Sequence, residues 1–343
     1  MVLRREVVSA GDSDASSRWV TNGAGSLIAM MTPQDVVLAR HRIAPWVRVT
    51  PMIRWDDHPS HPLLKLEALQ VTGSFKARGA FNRVLAAKET GAIGDAGVIG
   101  ASGGNAGLAL AYAAHRLGIP AEIVVPVTSS PVKLERLRTL GATVVVHGER
   151  YGDAYDHALE RQRRSGALFV HAYDQLEVVA GQGTVGLEFL EQAGSLDMVV
   201  VAAGGGGLVA GVRLAMPSQT RVIAVEPTLA PTIQQALLAG GPVDVEVSGV
   251  AADSLGARRC GDLAYEVISS MGVESVLVEE EEMIAARQLL WDEFRLVGEY
   301  GGVAALAALL ADKVKASEED RIGIIFCGAN SDPSDLVKHD AIA

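Results

Sequence analysis

Between Gly97 and Val146 the chain alternates short apolar runs with helical stretches, and glycine or proline punctuates each exchange. Val98-Ile99-Gly100 reads as a strand, followed by a glycine turn and an alanine-rich helix from Leu108 to Leu117. After Gly118, Ala121 to Val125 forms a second strand that stops at Pro126. Pro131 stands where helices begin, Val132 to Leu140 continues that helix, and Gly141 leads into a third strand, Ala142 to Val146. Parallel neighbours need a crossover long enough to hold a helix, so this alternation predicts a parallel sheet covered by helices. The pattern returns in Met198 to Ala202, a glycine turn, a helix near Leu208 to Leu214 and a strand from Arg221 to Val225; a last strand covers Arg321 to Phe326. Two wound units thus bracket an α/β chain, and ligands in such sheets bind outside the carboxyl ends of the strands.

With 343 residues, two domains are expected. Hydrophobic residues at 49% and charged residues at 21% suit a well-buried enzyme and exclude a disordered or collagen-like chain. The formal charge of −11 would repel a phosphate backbone and anionic lipid, which argues against nucleic acid or a membrane surface as partner. No apolar run reaches the length of a membrane span, and Arg4-Arg5 is not followed by the apolar stretch of an export signal. The two cysteines, Cys260 and Cys327, lie far apart without a Cys-x-x-Cys, so neither a zinc site nor a disulfide framework is indicated and a reducing cytoplasm fits. Gly11 to Ser17 reads as part of a mobile polar arm over residues 1–30, with the folded unit starting near Met31. The acidic run Glu279 to Glu282 reads as a helix start, where carboxylates meet the positive end of the dipole.

Three segments carry chemistry. Lys76 follows Gly73-Ser74-Phe75 and opens the helical stretch Ala77 to Lys88; a lysine beside unpaired amides and away from bulk water has a lowered pKa and a reactive free amine. Gly204 to Gly207 follow the apolar strand and precede Leu208, leaving amides unshielded so that several can converge on one phosphate. A flexible hinge is the alternative, but placement after a strand favours the cradle. Neither the Walker nor the dinucleotide spacing is present. Ser102-Gly-Gly-Asn-Ala-Gly107 is a second glycine turn after a strand, in which Asn105 could equally cap a helix.

In this order, these segments resemble the fold type II family of pyridoxal-phosphate (PLP) enzymes, the tryptophan synthase β-like fold, from about His41 to about Pro333. Leu64-Lys-Leu-Glu67 upstream adds to the likeness. The resemblance implies two wound parallel or mixed sheets with flanking helices. A small domain over residues 80–172 would be inserted in a large one formed by 31–79 and 173–343. It implies Lys76 as Schiff-base lysine and catalytic base, Phe75 packed near the pyridine, and Gly204 to Leu208 on the phosphate. Asn105 would sit at the ring oxygen, Ser102, Gly103, Gly104 and Asn105 on the substrate carboxylate, and Cys327 beside the pyridine nitrogen. A thiol there makes a weaker electron sink than a carboxylate would, which favours elimination over transamination.

Within the family, Gly103 stands where racemases carry a serine, and Ala106 where racemases and many threonine deaminases have histidine. The chain therefore resembles the serine dehydratase branch. The expected reaction is α,β-elimination of water from L-threonine or L-serine, giving a 2-keto acid and ammonia. The alternatives are another β-elimination or β-replacement, on 3-hydroxyaspartate, phenylserine or O-acetylserine, and a non-catalytic PLP-binding protein. Glu226 matches a carboxylate that holds a divalent cation in relatives, but the second acidic position is Thr232; a monovalent ion held by carbonyls is compatible. With little chain beyond Asn330, no C-terminal regulatory domain is expected. The family implies a homodimer.

Overall fold

The computed structural model describes residues 19–21, 27–29, 31–317 and 319–336. Six strands form the larger sheet, in the order Glu274–Val278, Arg221–Pro227, Met198–Ala202, Ile322–Ile325, Leu63–Lys65 and Met52–Arg54. All neighbours are parallel except the edge strand Met52–Arg54, which runs antiparallel to Leu63–Lys65. Every residue of Met198–Ala202 and Ile322–Ile325 is buried, which is why both read as unbroken apolar runs. Helices Gly207–Ala215 and Tyr300–Leu310 pack on these strands, and Leu176–Ala193 packs on Gly207–Ala215.

The smaller sheet has four parallel strands in the order Thr143–Val146, Ala121–Val125, Val98–Ala101 and Leu168–Phe169. Helices Asn105–Leu117 and Tyr151–Ser165 lie against it. Val98, Leu110, Ile123 and Leu137 form a core separate from that of the larger sheet. The architecture is thus α/β with two wound sheets, as the alternation predicted.

Local differences have physical causes. The helix expected at Leu108 begins at Asn105, because its first turn is polar and glycine-rich and lies outside the apolar period. Strands Leu63–Lys65 and Leu168–Phe169 are too short to show a period. Within the stretch expected to be a mobile arm, Trp19–Thr21, made of aromatic and β-branched types, pairs antiparallel with Leu27–Ala29. The Gly11 to Ser17 run lies outside the described residues. Glu279 and Glu282 form a capping box on helix Glu280–Phe294, as their position suggested.

A buried ionic network fixes the start of helix Lys76–Glu89. Arg78 is fully buried; its guanidinium donates to Glu67 Oε2 at 2.5 Å and to Glu188 Oε2 at 3.1 Å. Lys65 Nζ reaches Glu188 Oε1 at 2.6 Å and the Thr50 carbonyl at 2.6 Å. Each buried charge thereby has an opposite partner, the condition under which charge is tolerated in an interior. Among the described residues no helix is long and apolar enough to cross a membrane.

Candidate active site

A cavity of about 380 Å³ opens where three parallel strands end. The loop after Val98–Ala101 supplies Ser102, Gly103, Gly104 and Asn105; the turn after Met198–Ala202 supplies Gly204 to Leu208; Ile322–Ile325 leads to Cys327. Phe75 and Lys76 complete the lining, so these residues, singled out in the sequence at widely separated positions, share one cavity. Glu226 is not among its lining residues.

Lys76 is the first residue of its helix and is partly buried. Its Nζ donates to the Ala172 carbonyl at 2.9 Å and lies 5.0 Å from the centre of the Phe75 ring. Burial brings its pKa down to about 8, against the opposing pull of Cys327 and Glu299. The segment is stitched to the end of the last strand: Phe75 N donates to Cys327 O at 3.1 Å, and Ala329 N to Gly73 O at 2.9 Å. The Cys327 thiol is buried, and burial pushes its pKa up, so at neutral pH it is an uncharged group.

Asn105 holds two sites together. Its Nδ2 donates to Glu299 Oε1 at 2.7 Å, and its Oδ1 accepts from Asn330 Nδ2 at 2.7 Å. One amide hydrogen of Asn105 is left over, since the side chain carries two. Burial raises the Glu299 pKa to about 7, with the Asn105 hydrogen bond pulling the other way. The glycine turn is tightly confined. Gly206 has φ +88°, a Cβ on Gly205 would stand 2.4 Å from the Tyr173 ring, and one on Gly207 would stand 2.5 Å from the Tyr173 carbonyl. The amides of Gly204 to Leu208 donate to no backbone carbonyl among the described residues. Helix Gly207–Ala215 starts there, adding its positive end.

Glu226, the sequence candidate for a cation ligand, lies at the head of a helix outside that cavity. Its carboxylate accepts from Ile233 N at 2.6 Å and Gln234 N at 2.9 Å, capping helix Thr232–Ala239 in place of its own N-cap side chain. A carboxylate at that end satisfies two orphan amides, and Thr232 turns its hydroxyl to the Ala257 carbonyl at 2.6 Å. Tyr151 and Tyr173 were not singled out in the sequence, and no spacing signal marks them.

The family model described as pyridoxal-phosphate dependent enzyme matches residues 43–328. The chain belongs to that family. Among curated relatives, it is 38% identical over 307 residues to a phenylserine dehydratase of Ralstonia pickettii, covering 88% of this chain and 93% of that one. It is 38% identical over 272 residues to an L-threonine ammonia-lyase of Thermotoga maritima, covering 78% and 67%. Among solved structures, maize serine racemase superposes with a TM-score of 0.84 at 31% identity, covering 89% of this chain and 95% of that one. The processed form of threonine deaminase isoform 2 from Solanum lycopersicum gives 0.80 at 29% identity, covering 89% and 93%.

The residues present fit the cofactor of a PLP-dependent enzyme. Such a site needs a primary amine for the aldehyde and donors for the phosphate. Lys76 offers the amine, and the uncommitted amides from Gly204 to Leu208, in a turn too tight for any Cβ at Gly205 or Gly207, offer the donors.

Proposed function

We propose that this PLP-dependent enzyme is a dehydratase of β-hydroxy amino acids, acting on L-threonine, L-serine and related substrates to release a 2-keto acid and ammonia. One observation carries the reading: a single cavity holds a lysine amine of lowered pKa, an uncharged thiol and a run of free amides. Bound there, PLP supplies an electron sink for the charge that develops at the substrate Cα.

The chain's own groups do the rest. Amides of Ser102 to Asn105, at the start of helix Asn105–Leu117, hold the substrate carboxylate. Lys76 Nζ, with a pKa near 8, accepts the proton from Cα at neutral pH and above. The Cβ–O bond then breaks, a Cα–Cβ double bond forms, and hydroxide leaves with a proton as water. The released enamine tautomerises, and water hydrolyses it to the keto acid and ammonium. Cys327, kept neutral by burial, contributes no carboxylate beside the ring, which suits a short-lived carbanion.

The test is keto-acid release from the purified, PLP-loaded protein across a panel of β-hydroxy amino acids. Silence on every member would sink the dehydratase. Cysteine formation from O-acetylserine and sulfide would instead install the β-replacement reading. We further propose a cytoplasmic homodimer, in keeping with two free, buried cysteines and with the family resemblance; a monomer mass by light scattering would remove the dimer.

A further inference from the structure

A second cavity of about 40 Å³ adjoins the first, lined among others by Gly103, Gly104, Asn105, Arg136, Glu299 and Asn330. Side chains in its wall form a single line of hydrogen bonds. Arg136, exposed on helix Pro131–Thr139, donates from Nη2 to Asn330 Oδ1 at 3.0 Å. Asn330 Nδ2 donates to the Thr72 carbonyl and to Asn105 Oδ1, each at 2.7 Å. Asn105 Nδ2 in turn donates to Glu299 Oε1 at 2.7 Å.

The direction of this line is dictated by its outer partners. A guanidinium can only donate and a main-chain carbonyl can only accept, so Arg136 and Thr72 leave Asn330 one way round, with its oxygen toward the arginine. The Asn330 nitrogen then needs an oxygen opposite it. That turns the Asn105 nitrogen toward Glu299, with its second hydrogen left for a ligand. Glu299 alone does not fix this choice. With a pKa of about 7 it is partly protonated at neutral pH, and a carboxylic acid can donate to an amide oxygen as well as accept from an amide nitrogen.

Asn330 also braces the approach to Lys76. Thr72 has φ +69°, a left-handed conformation unfavourable for a β-branched residue, and a Cβ on Gly73 would stand 2.8 Å from Asn330 Oδ1. The Asn330 side chain thus occupies the space that Gly73 leaves and holds the carbonyl of a strained turn leading to the lysine.

We infer that Asn330 is a positioning residue: itself set by Arg136 and the Thr72 carbonyl, it fixes the Asn105 amide so that an N–H, not the oxygen, meets the cofactor's ring oxygen. This rests on the proposed place of Asn105 at that oxygen. A donor there favours the charged ring oxygen, which absorbs in the visible, over the neutral form, which absorbs in the near ultraviolet.

The test reads the spectrum of the holoenzyme without substrate, so it is independent of turnover. Asn330→Asp keeps the shape but sets an oxygen against the Thr72 carbonyl and Asn105 Oδ1. The ratio of visible to near-ultraviolet absorbance of the bound cofactor falls about tenfold, the loss of one hydrogen bond to a charged group. Asn105→Ala lowers the ratio to a similar extent. Adding Asn330→Asp to Asn105→Ala lowers it by no more than about twofold further, since the one acts through the other. Arg136→Met, at an exposed position, lowers the ratio about twofold in the same direction. An unchanged ratio in Asn330→Asp, or losses that multiply in the double variant, overturns the positioning role. If Asn330→Asp does not fold, Arg136→Met decides alone, and an unchanged ratio there overturns it. An unchanged ratio in Asn105→Ala removes Asn105 from the ring oxygen and the inference with it. Spectra that shift as expected in a protein that releases no keto acid keep the positioning role and remove the dehydratase.

Discussion

Asn105 and Glu299 stand 194 positions apart in the chain and meet in a 2.7 Å hydrogen bond that ties the glycine loop of the small sheet to the head of helix Tyr300–Leu310. The carboxyl is held to a pKa of about 7 by burial, so it changes charge within the working range of an enzyme. As pH rises through 7 it becomes an anion, and an anion near Lys76 favours the ammonium form over the free base. Glu299→Gln keeps an acceptor oxygen for Asn105 but does not titrate. The expected outcome is loss of the inflection near pH 7 in kcat/KM, with Glu299→Ala falling at least tenfold at every pH. An unchanged inflection in Glu299→Gln would assign it to another group.

Lys76 makes cofactor capture depend on pH. Only the neutral amine attacks an aldehyde, and with a pKa of about 8 its share falls tenfold per unit below that value. Stopped-flow mixing of apoprotein with PLP should show a second-order rate that climbs about tenfold from pH 6 to 7 and levels off above about 8. Lys76→Ala should develop no stable visible absorbance of bound cofactor and release no keto acid.

Crowding at the glycine turn predicts a narrow tolerance. A methyl on Gly207 would sit 2.5 Å from the Tyr173 carbonyl, which is backbone and cannot swing aside. Gly207→Ala should therefore displace the turn and weaken PLP retention at least tenfold in equilibrium dialysis. Gly241→Ala, where a methyl meets nothing within 4 Å, should retain PLP like the wild type.

Glu226 couples stability to pH. Burial raises its pKa from 4.5 to about 7 in the folded chain. Between those values the folded state holds a proton that the unfolded state has released, so stability falls as pH climbs from about 4.5 to 7 and is level above. The shift corresponds to about 3 kcal/mol at most for this group. Thermal melts should show Tm declining over that window. Glu226→Gln should start lower, having lost one of two amide contacts, and decline less. A slope equal to the wild type's would place the titration elsewhere.

The wound architecture was readable because its crossovers are punctuated and its central strands are buried on both faces. Lys76, the glycine loop and Cys327 were readable because each follows or opens a regular element, where the pattern is local. Asn330 on Asn105 and Glu299 on Asn105 were not, since each contact joins residues about two hundred positions apart or more and neither end differs locally from an ordinary cap. Lys65, wholly buried, contradicts what its charge suggests; its partner Glu188 lies 123 positions away on a helix whose own pattern gives no hint of it.

Strand Leu63–Lys65 finds its parallel neighbour only in Ile322–Ile325, and the segment before Lys76 is laced to the residues that follow that strand. During translation the reactive lysine thus leaves the ribosome some 250 positions ahead of Cys327, the thiol that closes its compartment. Until the late strand slots into the middle of the sheet, the nascent polypeptide carries that lysine over a half-built floor, and the compartment is whole only when nearly all of the chain has emerged.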